Sequence, residues 1–387
     1  MIRKLKFKNF YSFKEEQVLD FTVTKKKSDE YYESLDGTQI SKVMAFVGPN
    51  ASGKTSVMKL FGFLSYFLTS ASRDIKDTND TGFNQYAFSK PETSLLSIEF
   101  ETAENLFTYE LELDPKQVYQ ETLHKKILKK RARPLLVFHR TIEGVELNKK
   151  VLKNIPKKQL ALLRSDISLI AFLKANFDVP IINEVYEYFN LWFANNINES
   201  GYIASPETKM DDAAQSYLKI PSLKEKMEEF IRNFDVGIDK FLIEKIDSKI
   251  VIKGCHKIND KEHNIPFQYE SRGTKTLFVD LLPILGGLEI GNCLIIDEIE
   301  TGLHPQAVDK LISYIVDHIR RSKKQFIFSS HSFNFLELFD APQIYLVEKN
   351  ENKSEVFRLD SLGVRPDENF YSKYMSGAYG AFPKIRV

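Results

Sequence analysis

Eight consecutive residues constrain this chain more than any others: Gly48, Pro49, Asn50, Ala51, Ser52, Gly53, Lys54 and Thr55, a G-x-x-x-x-G-K-T loop. The loop follows an unbroken apolar run at 43–47. It precedes Val57, Leu60, Phe61, Leu64 and Phe67, which fall at helical spacing. A buried strand, a glycine-rich turn and a helix start in that order let backbone N–H groups curl around phosphates, and the helix N-terminus adds a favourable dipole. Lys54 is placed to reach β- and γ-phosphates and the Thr55 hydroxyl to bind Mg²⁺, with Ser56 beside them in the first turn of the helix.

Three further patterns follow downstream. The run Leu294-Ile295-Ile296 ends in Asp297-Glu298, which places Asp297 at the carboxyl end of a central strand beside the phosphate loop. Asp297 is the expected holder of Mg²⁺, and Glu298 is expected to orient and polarise an attacking water. A strand that simply ends at a solvated acidic turn is the plainer alternative. Phe328-Ser329-Ser330-His331-Ser332 ends the next strand, where His331 is placed to hydrogen-bond a γ-phosphate. Glu270 to Leu277 precede the acidic strand by one helix. There Ser271 is a natural N-cap, and Gly273 lets the backbone approach an anion at the helix N-terminus.

Composition sets the limits. A chain of 387 residues is long enough for two or three domains and a large core. Its 54 Lys+Arg and 53 Asp+Glu give a formal net charge of +1, which excludes a surface coated for nucleic acid and leaves only local patches. At 43% hydrophobic and 28% charged, the chain is neither disordered nor fibrous. Two distant cysteines, Cys255 and Cys293, exclude a disulfide scaffold or a zinc module and fit a reducing cytosol. No segment reads as a membrane span. The most apolar window, 277–296, is broken by Asp280, Pro283, Glu289 and Asn292, and the N-terminus has no apolar signal core, so a cytoplasmic location is expected.

The expected fold class is α/β. In a first lobe, 1–142, alternation at Leu19, Phe21 and Val23 and again at Phe107, Tyr109, Leu111 and Leu113 marks strands, with a polar loop around Lys25-Lys26-Lys27. From 143 to 235 helical spacing dominates and reads as an insertion. Ile182, Val185, Tyr186, Phe189 and Phe193 come first; a capping box at Ser222 and Glu225 then leads into Met227, Phe230, Ile231 and Phe234. Residues 236–387 return to strand and helix alternation. Here 250–252, 293–298, 325–331 and 343–349 read as successive strands of a parallel-sheet pattern.

Taken in order, GPNASGKT, ESRGTKTLF, LIIDEIETGLHP and FSSHS resemble the motif set of ABC-like ATPases of the SMC, RecF and OLD type. The chain most resembles the stand-alone AAA family ATPases of bacterial abortive-infection and antiphage loci. KFKNFYSFKEE near one end and YMSGAYGAFPKI near the other are similar to that group, while the helical middle is not covered. The signature departs from the transporter form LSGGQ, with Arg272 and Thr274 in place of Gly and Gln. The resemblance implies an ABC-type ATPase head with a mixed or parallel central sheet, an N-terminal antiparallel β subdomain and a helical insertion. It implies a homodimer, or an oligomer of dimers, closed on ATP and Mg²⁺. Each nucleotide would sit between 48–55, Asp297 and Glu298 of one chain and 271–273 of the other, with 300–305 as a D-loop across the interface. A glutamine that contacts the metal is expected after the first lobe; Gln85 is the candidate, with Gln117 and Gln120 left open.

The resulting expectation is an ATPase that senses or switches in phage defence and controls a separately encoded effector, often a nuclease. Only 56 residues follow His331 and they hold no D-x-D motif, so the chain is not expected to cleave DNA by itself. The alternative is a RecF-like DNA-repair ATPase that binds duplex DNA. Lys125, Lys126, Lys129, Lys130, Arg131 and Arg133 crowd into nine positions, and Arg320, Arg321, Lys323 and Lys324 form a second group. Such groups either meet a phosphate backbone or simply solvate a surface. A degenerate nucleotide-binding scaffold is disfavoured, because Lys54, Asp297, Glu298 and His331 are all present.

Overall fold

The computed structural model describes residues 1–24, 28–70, 80–88, 92–129, 133–195, 206–233, 237–247, 249–259, 261–365 and 368–381. Its centre is a six-stranded sheet in the order Trp192–Ala194, Cys293–Ile296, Gln325–Ser330, Val43–Val47, Ile344–Asn350 and Lys353–Arg358. The first five strands run parallel and the last antiparallel. Side chains alternate between its faces as the strand period of two demands. Val43, Ala45, Val47, Leu294, Ile296, Phe326 and Phe328 enter one core cluster; Met44, Phe46, Cys293, Ile295 and Ile327 enter the other. Both faces are covered, which is why these runs are apolar throughout.

One face carries the helix Lys54–Thr69, whose Val57, Leu60, Phe61, Leu64 and Phe67 are fully buried. The same core continues into a seven-stranded antiparallel sheet ordered Gly144–Leu147, Leu135–Thr141, Val118–Ile127, Asn105–Leu113, Ser94–Glu101, Ile2–Lys8 and Gln17–Asp20. The opposite face carries the helices Arg272–Glu289 and Pro305–Arg320. The mixed central sheet and the antiparallel subdomain expected from the sequence are both present.

Local details differ from expectation. The segment 143–235 holds the helices Lys157–Leu160, Leu169–Asn176, Pro180–Asn190, Pro206–Lys219 and Pro221–Asn233, and it also supplies Gly144–Leu147 and Trp192–Ala194 as strands. Phe193 keeps helical spacing with Phe189 yet lies in a strand, because Trp192–Ala194 complete the open parallel edge of Cys293–Ile296. Tertiary pairing overrides local pattern there. Residues 250–252 do not join the parallel sheet. They belong to Lys249–Ile258, the middle strand of a separate antiparallel sheet with Lys240–Ile246 and Lys261–Pro266. Asp247 and Asn259, at φ of +46° and +49°, sit in the short turns that make this local pairing possible. Pro221 takes the first position of its helix, so Ser222 lies inside the first turn instead of capping it. Lys25–27, Lys130, Arg131, Phe234 and the last residues of YMSGAYGAFPKI lie outside the described residues. Both cysteines are buried and free, and no described helix is long and apolar enough to cross a membrane.

Candidate functional site

The turn between Val43–Val47 and Lys54–Thr69 needs its glycines for two separate reasons. A Cβ on Gly48 would lie 2.1 Å from the Val347 carbonyl oxygen. Gly53 has a φ of +118°, and its Cβ would meet Ser354 Oγ at 2.6 Å and Ser12 Oγ at 2.9 Å. The Ser354 hydroxyl donates to the Ser52 carbonyl and accepts from Ser12 Oγ, so the late strand Lys353–Arg358 braces the loop. A cavity of about 510 Å³ opens here, lined by residues 50–56 with Ser12, Glu298, His331 and Lys349.

Lys54 Nζ donates to the carbonyls of Gly48 (2.7 Å) and Pro49 (2.9 Å) and meets His331 Nδ1 at 3.0 Å. An ammonium only donates, so Nδ1 accepts and the ring proton is assigned to Nε2, which faces Glu298 Oε1 at 3.4 Å. Burial lowers Lys54 to about 8, opposed by the charges of Glu300, Asp297 and Glu298.

The acidic strand ends at Ile296, and Asp297 and Glu298 occupy the turn beyond it. This strand is not the immediate neighbour of the loop strand. Gln325–Ser330 lies between them, and His331 at its tip bridges Lys54 to Glu298. Glu298 is left-handed, with φ of +49°, a conformation that must be imposed by its surroundings. The Ser329 hydroxyl accepts from Glu298 N (2.8 Å) and donates to Asp297 Oδ1. On the other flank, Asn195 Oδ1 accepts from Asp297 N (2.9 Å) and its Nδ2 donates to Asp297 O (3.0 Å), extending the ladder of Trp192–Ala194 by a side chain. Burial pushes the Asp297 carboxyl up; hydrogen bonds from Ser329 and Thr55 oppose it.

Other expected residues stand apart. Ser271 caps Arg272–Glu289, accepting from Thr274 N at 3.1 Å, and both Ser271 and Arg272 are exposed. A Cβ on Gly273 would lie 2.8 Å from the Gly302 carbonyl oxygen, so this helix start packs on the turn that follows Glu298. Neither Ser271 nor Gly273 lines the loop cavity of its own chain. Gln85 Nε2 donates to the Glu92 carbonyl (2.8 Å) and Ser94 Oγ (3.0 Å), and it does not line the cavity either. Gln117 lies at a turn, and Gln120 lies in the strand Val118–Ile127. The amide that reaches the acidic turn is that of Asn195. Its signal in the sequence is only a three-residue strand hidden within helical spacing. Ser12, Ser354 and Lys349 also join the site, from segments with no assigned phosphate-site role, and Glu300, placed by the resemblance in the segment 300–305, reaches back to His331 N.

Comparison with known proteins places residues 43–337 in the family described as "AAA domain, putative AbiEii toxin, Type IV TA system". No curated protein matches. Among solved structures the chain is similar to the SMC head domain from Thermotoga maritima, at 15% identity over 92% of this chain and 98% of that one, with a TM-score of 0.43. It is also similar to an SMC head bound to the C-winged helix domain of ScpA, at 15% identity over 93% and 99%, TM-score 0.48. A third likeness is to an Smc head with an extended coiled coil bound to the C-terminal domain of ScpA, derived from Pyrococcus furiosus, at 13% identity over 94% and 97%, TM-score 0.45. The family match runs from the strand before the phosphate loop to beyond His331, well over half of the chain, and the chain belongs to this AAA-domain family.

Proposed function

We propose that the chain is a Mg²⁺-dependent ATPase that closes into a homodimer on ATP and so switches a separately encoded effector, such as a nuclease, in bacterial antiphage defence in the cytoplasm. The observation that carries this reading is the division of the site. Residues 50–56 of the loop, Glu298 and His331 line one cavity, while Ser271 and Gly273 do not line it and sit at a helix N-terminus where Ser271 is exposed and Gly273 half-buried. A second copy is the natural source of the missing anion grip. On this reading 1–142 and 236–387 are the two halves of one ATPase head, and 143–235 is inserted between them.

Residues 48–56 would wrap the phosphates with backbone N–H groups, and Lys54 would exchange the Gly48 and Pro49 carbonyls for phosphate oxygens. The Thr55 hydroxyl and the Asp297 carboxylate are hard oxygen donors of the kind a divalent ion takes, and they would hold Mg²⁺ there, Thr55 being one of the groups that favour the ionised Asp297. Bound there, Mg²⁺ neutralises charge on the β- and γ-phosphates. Among the described residues no cluster of three or more His, Cys, Asp or Glu forms a metal cage, and this chemistry needs none. Glu298, with a side chain 44% exposed, can receive and orient a water. His331 Nε2–H is free to turn from Glu298 to a γ-phosphate oxygen.

The test is the Glu298→Gln variant in ATP and Mg²⁺, followed by light scattering. Doubling of mass with arrested hydrolysis is expected. A wild-type chain that neither hydrolyses ATP nor dimerises on it would sink the proposal, and so would metal-dependent DNA cleavage by the purified chain alone.

A further inference from the structure

We propose that Glu300 is a positioning residue: it holds the main chain of His331, and so aligns the imidazole between Lys54 and Glu298, from a turn that also touches the signature helix. The inference rests on the ATPase reading above and gives Glu300, so far placed only in the segment 300–305, a role within its own chain.

The resemblance assigns the turn after the acidic pair to a dimer interface, and its first residue points back into its own chain. Glu300 Oε1 accepts the main-chain N–H of His331, while Oε2 is buried with no hydrogen-bond partner. Leaving a carboxylate oxygen unsatisfied is costly, and a neutral side chain would cap one N–H as well. The charge has a reason nearby, since Glu300 gives the largest favourable contribution to keeping the Lys54 ammonium charged. The turn itself is tight: Thr301 N donates to Glu298 O at 2.9 Å, and Leu303 N to Glu300 O at 3.0 Å. Two residues on, the Gly302 carbonyl is the atom that a Cβ on Gly273 would strike, and a Cβ on Gly302 would lie 3.1 Å from Thr276 Oγ1. One short turn therefore links the signature helix, through Gly302 and Glu300, to His331. A second copy that docks on the exposed signature face would press on this turn and shift His331 relative to Lys54 and Glu298.

A double-mutant cycle on the full chain tests this, with ATP turnover and nucleotide affinity both measured. Glu300→Ala should lower kcat at saturating ATP about tenfold, while the Kd for ATP rises only a few-fold, from the loss of a charge that supports the Lys54 ammonium. Glu300→Gln keeps an acceptor for the His331 N–H and should recover most of that loss. In a His331→Ala background, Glu300→Ala should change kcat by less than about twofold, because the residue acts through the histidine. Should Glu300→Ala fail to fold, Glu300→Asp, too short to reach the same N–H, should show the same loss of kcat at an unchanged Tm. A wild-type rate for Glu300→Ala beside an impaired His331→Ala overturns this inference alone. So does a loss that is equally large with and without His331. A fully active His331→Ala overturns this inference together with the role given to the histidine.

Discussion

Two regions of the molecule meet the nucleotide on this reading, and they differ in how far their own chain completes them. At the phosphate loop, Lys54 has two carbonyls and His331, while Asp297 has Ser329, Thr55 and Asn195. These partners come from three separate stretches of sequence, and they hold Glu298 in a left-handed conformation that it would not choose alone. At the signature helix, Ser271 spends its hydroxyl on Thr274 of its own turn, and the helix start is exposed. The first region is preorganised before any ligand arrives; the second is a surface whose partner must come from outside. A switch needs that asymmetry. If both halves were complete in one chain, ATP would bind and turn over without reporting anything to a second molecule.

The hardest blow to the comparison is Lys54→Ala, expected to weaken ATP binding at least about 100-fold by calorimetry, since a buried phosphate ligand is lost. Wild-type affinity in that variant would mean that the cavity is not the phosphate site. Glu298→Gln should leave affinity intact and lower kcat by about 100-fold, equivalent to about 2.7 kcal/mol of barrier. Ser271→Arg should cut turnover about tenfold and abolish ATP-dependent dimers, with nucleotide affinity of the monomer unchanged. Mixing it with Lys54→Ala sharpens the point. Each variant supplies the half that the other lacks, so partial activity should return, and two inactive partners that stay inactive would argue against a shared site. The smallest effect is on pH. Lys54 titrates near 8 and binds phosphate as the ammonium, so affinity should fall about threefold between pH 7.5 and 8.5. Bound phosphates raise its pKa, so binding near pH 8.5 should take up a proton, seen as a buffer-dependent heat that the Lys54→Ala variant lacks.

What the sequence made legible was whatever is local. Gly48 to Thr55, the Asp297-Glu298 pair and the Ser271 cap each declare themselves within a few residues, and the structure places residues 50–55, Glu298 and His331 around one cavity. Asn195 was illegible because its role depends on a strand of three residues finding Cys293–Ile296 a hundred positions away. Gln85 looked suitable by type, but its amide is committed to Glu92 and Ser94. Ile250 to Ile252 were recognisable as a strand and not as an antiparallel one, since a β-branched run reads the same in either sheet.

The strand order of the central sheet also bears on how the protein is made. Val43–Val47, wholly apolar, has as its neighbours Gln325–Ser330 and Ile344–Asn350. On the ribosome it emerges about 280 residues before either of them. At about 5–20 residues per second that is a wait of roughly 14 to 56 seconds. During that interval both hydrogen-bonding edges of the strand are unpaired, and for most of it the face later covered by Arg272–Glu289 and Pro305–Arg320 is open as well. Chains cut short of the second lobe are therefore exposed to strand-edge aggregation, and capture of ATP waits for the final strands to be translated.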